Sequence, residues 1–475
     1  MNRQVMLCGC AMALALTVGV GPAMAGSNAE LLKRLHEKGI LTDDEYQSLL
    51  AGDKAETAAA APVAVAPAAA APVAAPSVAA SSDDKRLIHM SDSGVGMEIG
   101  GVTFKVAGQI NGFYTHDKGQ TPGANTAVTG GVVASGGNTS AVRNGLLPAF
   151  LKFDVSTHQA GWDIGAHFGM YPGINSATYA NGGGANSGGQ NTALQTAGID
   201  FRQTYMTIGR KGVGEFKLGR DIGLFGSEAI LNDITLLSIG TPGGNVAPAN
   251  TSLGRIGVGY IYTDFQPQIT YTTPNISGLT ASVGVFQPLQ SLTGPGETGS
   301  SPGFQGKIVY DTKIQDVSVH AWVSGITQKH NRVDGVNYTG EGIDAGAKVG
   351  YGPVAVTGYY YRAAGLGTTA LNLFDTDAQG NRRDSEGFYL QGTATLGKFM
   401  LAGSYGESHL SYANRSDALA NPTLIAKNSS WVGQGRYSLT SWVTLITEYV
   451  HTVSQAHNGN RAQGDTVAAG AILFF

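Results

Sequence analysis

From about Val102 to the terminal Phe475 the chain is built of segments about 8 to 14 residues long in which apolar and polar side chains alternate with period two. Turns rich in Gly, Asn, Asp and Pro separate them, and no helical period intervenes. Val106, Gly108, Ile110, Gly112 and Tyr114 alternate with Lys105, Gln109, Asn111 and Thr115. Leu151, Phe153 and Val155 are set against Lys152, Asp154 and Ser156, and Trp162, Ile164, Ala166, Phe168 and Met170 against Asp163 and His167. Val317, Val319, Ala321 and Val323 face away from Ser318, His320 and Ser324, as Val443, Leu445 and Tyr449 do from Thr444 and Glu448. Strand after strand of this kind, each with one apolar face, specifies an all-β structure.

The pattern predicts strands near 102–115, 146–156, 161–171, 198–209, 214–220, 254–273, 278–287, 304–312, 314–327, 341–351, 353–363, 385–396, 398–411, 428–438, 440–453 and 463–475. That is about sixteen strands, an even number, as an antiparallel up-and-down barrel requires; splitting 254–273 in two would give seventeen. The connections alternate in length. Tight joins at Thr157 to Ala160, Lys211 to Val213, Asn275 to Ser277, Lys313, Gly352 and Gly397 are interleaved with polar loops at 116–145, 172–197, 221–253, 288–303, 328–340, 365–384, 412–427 and 454–462. Short turns at one end and long loops at the other are the pattern of a transmembrane β-barrel.

After residue 25 no apolar stretch approaches the roughly 20 residues that a membrane-spanning helix needs, so any crossing must use strands. Residues 1–25 read as a secretory signal peptide: Arg3, an apolar run from Val5 through Val20, and the small-residue site Ala23-Met24-Ala25, with Gly26 as the first mature residue. Leu7-Cys8-Gly9-Cys10 offers a rival reading as a lipid-attachment box, but no apolar core precedes Cys10. Both cysteines lie in the segment to be removed, so the exported chain holds no disulfide. Gly supplies 69 of 475 residues and charged residues only 13%, low for a soluble domain. A net charge of −4, or −5 once Arg3 is removed, argues against nucleic acid as a partner.

Two further segments precede the barrel, which is expected to span 101–475. Residues 26–53 are expected to form a helical periplasmic segment. Within it Gly39 is a helix stop, Thr42 and Glu45 form a capping box, and Leu31, Leu32, Leu35, Tyr46, Leu49 and Leu50 form one apolar face. So small a pair cannot bury much surface alone, so it self-associates or docks on a partner. Residues 54–100 are expected to be a linker, Ala/Pro-rich from Ala55 to about Ser82, an extended tether or spacer.

A large soluble β-sandwich or an autotransporter passenger would also alternate. A sandwich would need neither a secretion signal nor an apolar last strand ending Ala471-Ile472-Leu473-Phe474-Phe475, and a passenger solenoid would show a short fixed repeat, which is absent. The terminal Phe475, with Leu473, Ala471, Ala469 and Val467 on its face, resembles the signal read by the barrel-assembly machinery. The block Arg202-Gln-Thr-Tyr-Met-Thr-Ile-Gly-Arg-Lys-Gly-Val-Gly-Glu-Phe-Lys-Leu-Gly-Arg220, followed by a long segment, resembles the Gram-negative trimeric porins. In that family a strand opening with Arg leads through a tight turn to Gly-Arg and then to a constriction loop. Tyr271-Thr-Thr-Pro-Asn-Ile-Ser-Gly-Leu-Thr-Ala-Ser-Val resembles the strand-turn-strand that follows. The likeness covers about 102 to 475 and implies a homotrimer in the Gram-negative outer membrane, in contact with lipid, conducting small hydrophilic solutes. The amino-terminal extension resembles those of dicarboxylate-type and of phosphate-selective porins, so both solute classes stay open.

An Arg facing lipid costs about 2 to 4 kcal/mol at the bilayer midplane, so Arg202, Arg362 and Arg436 are expected to face the lumen. Phe201, Tyr205, Tyr359, Tyr361, Tyr437 and Leu439 would then point outward. Met206 and Ile208 share the Arg202 face, which simple alternation does not explain. The resemblance adds Arg220 and Arg255 to the pore wall. Asp221, Glu228 and Asp233 are the acids of 221–253, and acids facing arginines across a narrow gap would orient and sort solutes. With more arginines than acids there, the pore is expected to prefer anions.

Enzymatic readings are thin. Gly254-x-x-Gly257-x-Gly259 lies in no strand-to-helix unit, and no His-Glu-x-x-His motif or Cys cluster exists, so no cofactor, metal or catalytic residue is expected. An outer-membrane protease or phospholipase barrel is the alternative, discriminated by its smaller strand number. An adhesin or anchoring protein is a third; it would place function in the helix pair and spacer.

Overall fold

The computed structural model describes residues 89–90, 95–121, 123–133, 138–174, 199–242 and 251–475. The signal peptide, the helix pair and most of the linker lie outside the described residues. Nineteen strand segments belong to one antiparallel sheet, and sixteen staves of it form the wall. They are β1 Val102–Gly119, β2 in two pieces Asn138–Arg143 and Phe150–Gln159, β3 Trp162–Pro172, β4 Ile199–Arg210, β5 Gly214–Ile222, β6 Phe265–Thr272, β7 Leu279–Phe286 and β8 Gly303–Ile314. The rest are β9 Val317–Asn331, β10 Asn337–Tyr351, β11 Val354–Ala364, β12 Asp384–Leu396, β13 Phe399–Leu410, β14 Ile425–Ser438, β15 Val443–Ala456 and β16 Arg461–Phe474.

Each stave pairs with its sequence neighbour, and β16 returns to β1 from Gly464↔Gly119 to Phe474↔Gln109, which closes the barrel and removes its edges. Phe475 extends the seam: its N–H donates to the Gly108 carbonyl and its carbonyl accepts from the Gly108 N–H, both at 3.0 Å. Its ring lies where a side chain at Gly108 would stand, 2.0 Å from the Cβ position, so a larger residue there would have to displace the ring.

Alternation sorts the wall into two faces. Ile110, Phe201, Ile269, Val283, Leu390, Leu401 and Val467 point outward and are exposed. Outward aromatic residues form two bands, with Phe216, Tyr271, Tyr351, Phe399 and Trp442 toward the short turns and Tyr114, Phe201, Phe304, Tyr360 and Trp431 toward the long loops. An apolar outer surface between two aromatic girdles is what a bilayer core and its two interfaces select.

The sheet begins earlier than the sequence reading placed it. Val95–Ile99 pairs with Val102–Val106 through a turn at Gly100 and Gly101, whose φ of 59° and 79° favour glycine, and His89–Met90 pairs with Met97–Glu98. Val95–Ile99 covers the stretch of β1 that β16 does not reach.

Two strand expectations are corrected. The expected strand 146–156 is interrupted: 144–149 leaves the wall, with the Leu146 and Leu147 N–H groups donating to Ser238 and Leu236 carbonyls. The expected strand 254–273 keeps only Phe265–Thr272, because 254–264 folds into the barrel. Gly254, Gly257 and Gly259 there have φ of 56°, 74° and 138°, which no continuous strand can hold.

That inward segment, 223–264, is the element that shapes the interior; 243–250 within it lie outside the described residues. It opens with the helix α1 Ser227–Asn232 and a 3-10 turn Ile234–Leu237. Its side chains Phe225, Ala229, Ile230, Leu236, Ile239, Ile256, Tyr260 and Ile261 pack against the inner wall at Trp322, Ile326, Tyr359, Tyr361, Tyr389, Ile446, Ala468, Ile472 and Phe113. Over much of its height the interior from β9 round to β1 is therefore a protein core. The polar lumen is left along β2 to β8 and, toward the short turns, at half-buried inner side chains such as His320 on β9, Lys348 on β10 and Arg436 on β14.

Candidate functional site

Polar anchors hold the inward loop to the wall along its length. The Leu224 and Phe225 N–H groups donate to Gln305 Oε1 at 2.8 and 3.0 Å, and the Gly226 N–H to Asp344 Oδ2 at 2.7 Å. Tyr389 Oη donates to the Ala229 carbonyl at 3.0 Å, and Gln391 takes both the Ile234 N–H and the Asn232 carbonyl. Glu448 accepts four donors: Ser238 Oγ at 2.6 Å, Gly240 N at 2.7 Å, Gln434 Nε2 at 2.8 Å and Ile239 N at 3.2 Å. Arg143 clamps the far end, donating to the Pro242 and Thr251 carbonyls. A loop fixed this way partly fills the barrel and narrows it to an eyelet.

On the inner wall, β1 to β5 offer Lys105 and, beside aromatic rings, Lys152, Arg202 and Lys217. Lys152 Nζ lies 4.9 Å from the Phe150 ring centre, and Lys217 Nζ 4.9 Å from that of Tyr205. Arg202 lies 5.0 Å from the Tyr171 ring and 5.3 Å from Phe265. Its inward position comes from a break in register: Gly169 pairs with Gln203 but Tyr171 with Asp200, so one residue of β3 faces two of β4. The bulge resets alternation. Arg202 turns inward with Gln203, while Met206 points outward and Ile208 shares its register, which accounts for their sequence parity. Phe201 points outward as expected; Tyr205 does not, since it stacks on lumen-facing His167 at 4.6 Å.

The other expected site residues separate into three groups. Arg436 faces inward, with Tyr437 on the opposite face, and donates to the Ile234 carbonyl of the loop at 2.6 Å. Glu228, on α1, is half-buried and bonds Lys307 Nζ at 2.6 Å and His320 Nε2 at 3.2 Å. Asp221 ends β5 on the inner face, where it pairs with Lys217 and accepts from Gln203; it belongs to the wall and not to the loop.

Arg255 and Asp233 belong to the loop and are buried between it and the wall, away from open lumen. Arg255 is fully buried and donates to Ser430 Oγ at 3.2 Å, and Asp233 takes Tyr260 Oη at 2.9 Å and Thr235 Oγ1 at 2.5 Å. The expected pore-wall role of Arg255 is corrected: its segment is part of the inward loop and not of a stave.

Arg220 and Arg362 are corrected too, because both lie on the outward register. Arg220 pairs with Thr204 and Pro267 on the face of Phe216 and Ile269, and donates to the Phe265 carbonyl at 2.6 Å. Arg362 shares its face with exposed Tyr360, while Tyr359 and Tyr361 are buried inside against the loop. Both arginines sit within two residues of the loop end of their strands, where the lipid penalty falls to about 0 to 1 kcal/mol.

Sequence reasoning passed over the lumen lysines Lys152, Lys217, Lys307 and Lys348. Each stands between outward apolar or small neighbours, so the alternation that flagged arginines marks them as well.

Residues 58–457 match the family model of the Gram-negative porins. No curated protein sequence matches the chain. Among solved structures the chain is similar to the outer-membrane channel DcaP of Acinetobacter baumannii, at 15% identity and TM-score 0.58, over 82% of this chain and 99% of that one. It is also similar to the anion-selective porin of Comamonas acidovorans, at 14% identity and TM-score 0.54, over 79% and 100% of the two chains. OprB of Pseudomonas putida is a third, at 12% identity and TM-score 0.50, over 78% and 94%. With a family match along most of its length and a closed sixteen-stave barrel narrowed by an inward loop, the chain belongs to the Gram-negative porin family, outer-membrane channels for the diffusion of small solutes.

Proposed function

We propose that this porin prefers small anions, carboxylates or phosphate, and that Lys152, Arg202, Arg436 and Lys348 on the wall and Glu228 on the loop line its eyelet. One observation carries the reading: among the described residues most lumen carboxylates have a basic side chain as partner, whereas Lys152, Lys348 and Arg436 have no carboxylate partner. Asp154 bonds His167, Asp163 bonds His158, Asp221 bonds Lys217, Asp311 bonds His320 and Glu228 bonds Lys307. Lys152, Lys348 and Arg436 make no ion pair among the described residues; on the acidic side Asp117, Glu215, Asp344 and Glu448 make none either, but Asp117, Asp344 and Glu448 are buried, the last two spent on anchoring the loop. In a narrow pore, local uncompensated charge and not net charge sets ion preference. The anion selectivity named for the Comamonas acidovorans porin is consistent with this.

Replacing chloride by a C4 dicarboxylate or by phosphate on one side of a planar bilayer tests the proposal. A current carried by the substituted anion supports it, and a reversal potential set by the cation alone refutes it.

The reading is of a passive, non-catalytic channel, supported by the family match. Three further assignments belong to it: a homotrimer, with residues 28–51 bundling below the barrels; release of the mature chain at Gly26; and delivery by the barrel-assembly machinery through Phe475. Deleting 28–51 is expected to leave a conducting barrel and a weaker trimer, resolved by native electrophoresis.

A further inference from the structure

The loop acid Glu228 is tied to the wall by an imidazole held between two carboxylates. His320, on the inner face of β9, places Nε2 3.2 Å from Glu228 Oε2 and Nδ1 2.7 Å from Asp311 Oδ1. A neutral imidazole has one N–H and can donate to only one of these oxygens, leaving its other nitrogen lone pair against a carboxylate. Only the imidazolium, with two N–H groups, satisfies both contacts.

The surroundings are set by register. Asp311 on β8 and Lys348 on β10 are the direct cross-strand partners of His320. Lys307, four residues before Asp311 on the same face, holds Glu228 Oε1 at 2.6 Å and Ser227 Oγ at 3.1 Å. Lys313 and Asp344 lie on the same inner faces of β8 and β10, and the Trp322 ring packs 5.4 Å from the imidazole. His320 is about a quarter exposed, so protons reach it from the lumen.

We propose that His320 is a specificity-determining residue of this channel: doubly protonated, it bridges Glu228 of the inward loop to Asp311 of the wall and adds one positive charge beside the eyelet. Loss of the proton removes that charge and one of the two bridges, so the loop keeps Lys307 as its tether and anion preference falls. The inference rests on the channel reading, but not on the sign of its selectivity. A pore that favoured cations would still shift further toward cations as pH rose.

The test uses full-length protein in planar bilayers under a KCl gradient, with the reversal potential followed from pH 5 to 9, which spans the imidazole range of about pH 5 to 8. The wild type is expected to shift toward cations with rising pH. His320→Gln, which can donate one hydrogen bond and carries no charge, is expected to lose more than half of that shift and to sit near the alkaline wild-type value throughout. His167→Gln removes another half-buried lumen imidazole and is expected to keep more than half of the shift. A wild type without the shift, or His320→Gln with all of it, overturns the proposal. Should His320→Gln fail to fold, Asp311→Asn leaves the loop contact in place and is expected to move the midpoint to lower pH; an unmoved midpoint overturns the proposal equally. The potential at a single pH reports anion preference, and its change with pH reports His320, so the two can fail separately.

Discussion

Glu448 is the anchor whose loss should be felt most directly in the pore. Its carboxylate is buried and accepts from Ser238 Oγ, Gln434 Nε2 and the backbone N–H groups of Ile239 and Gly240. In Glu448→Ala the Ser238 hydroxyl and the Gln434 amide still have each other, at 2.7 Å. The two backbone donors have nothing, and a buried orphan donor costs about 1 to 3 kcal/mol, so the attached loop loses about 2 to 6 kcal/mol. At about 1.4 kcal/mol per factor of ten, even the lower bound raises the detached population of 238–241 about 30-fold. The wall should survive, because β15 keeps its pairing with β14 and β16, and the start of the loop remains fixed at Gln305 and Asp344. Glu448→Gln keeps one oxygen for the backbone donors and should be milder. Single-channel recording is the assay: Glu448→Ala should show greater open-channel noise and a wider spread of conductance, with Glu448→Gln between it and wild type. A folded Glu448→Ala channel as quiet as wild type would refute the role given to this anchor.

The face assignments predict that Arg202→Gln and Arg436→Gln shift the reversal potential toward cations at low salt, whereas Arg220→Gln and Arg362→Gln leave it unchanged; the opposite pattern would reverse the assigned faces. Asp417, in the loop between β13 and β14, is pushed up by burial but held down more strongly by Arg383, at 2.6 and 2.7 Å, and by nearby backbone and Asn421 donors, to about 2. A depressed carboxylate stabilises above its unfolded value of about 3.9 and loses that contribution as pH falls through about 2, so at neutral pH the clasp contributes about 2 kcal/mol. Asp417→Asn should therefore speed hydrogen exchange in 411–424 at pH 7, and the difference from wild type should vanish toward pH 2. Gly108→Val puts a side chain where the Phe475 ring lies and should lower the yield of heat-modifiable barrel, as should Phe475→Ala.

Strand number and outward faces were legible because lipid on one side forces apolar residues into every second position, as with Ile110 and Tyr114 or Phe153 and Val155. The inner face was less so. Lumen positions are expected to be polar, but the inward loop turns half of the interior into a core, so Tyr359, Tyr361 and Tyr389 lie inside and Arg362 is left outside. The 254–264 segment mimics a strand in composition, and only the positive φ of its glycines gives its path away. The bulge that turns Arg202 inward has no local sequence mark; it is set by the pairing of Tyr171 with Asp200.

The proposed anion preference turns on Lys152, Lys348 and Arg436, which have no carboxylate partner among the described residues, at the eyelet. The most direct measurement is the reversal potential of the purified channel in a planar bilayer with a tenfold KCl gradient, taken at low ionic strength where lumen charge is least screened. The account predicts stepwise channel openings and a potential of the sign set by chloride, shrinking as salt rises. Absence of conductance steps would contradict the channel, and a potential of the sign set by potassium would contradict its cationic lining.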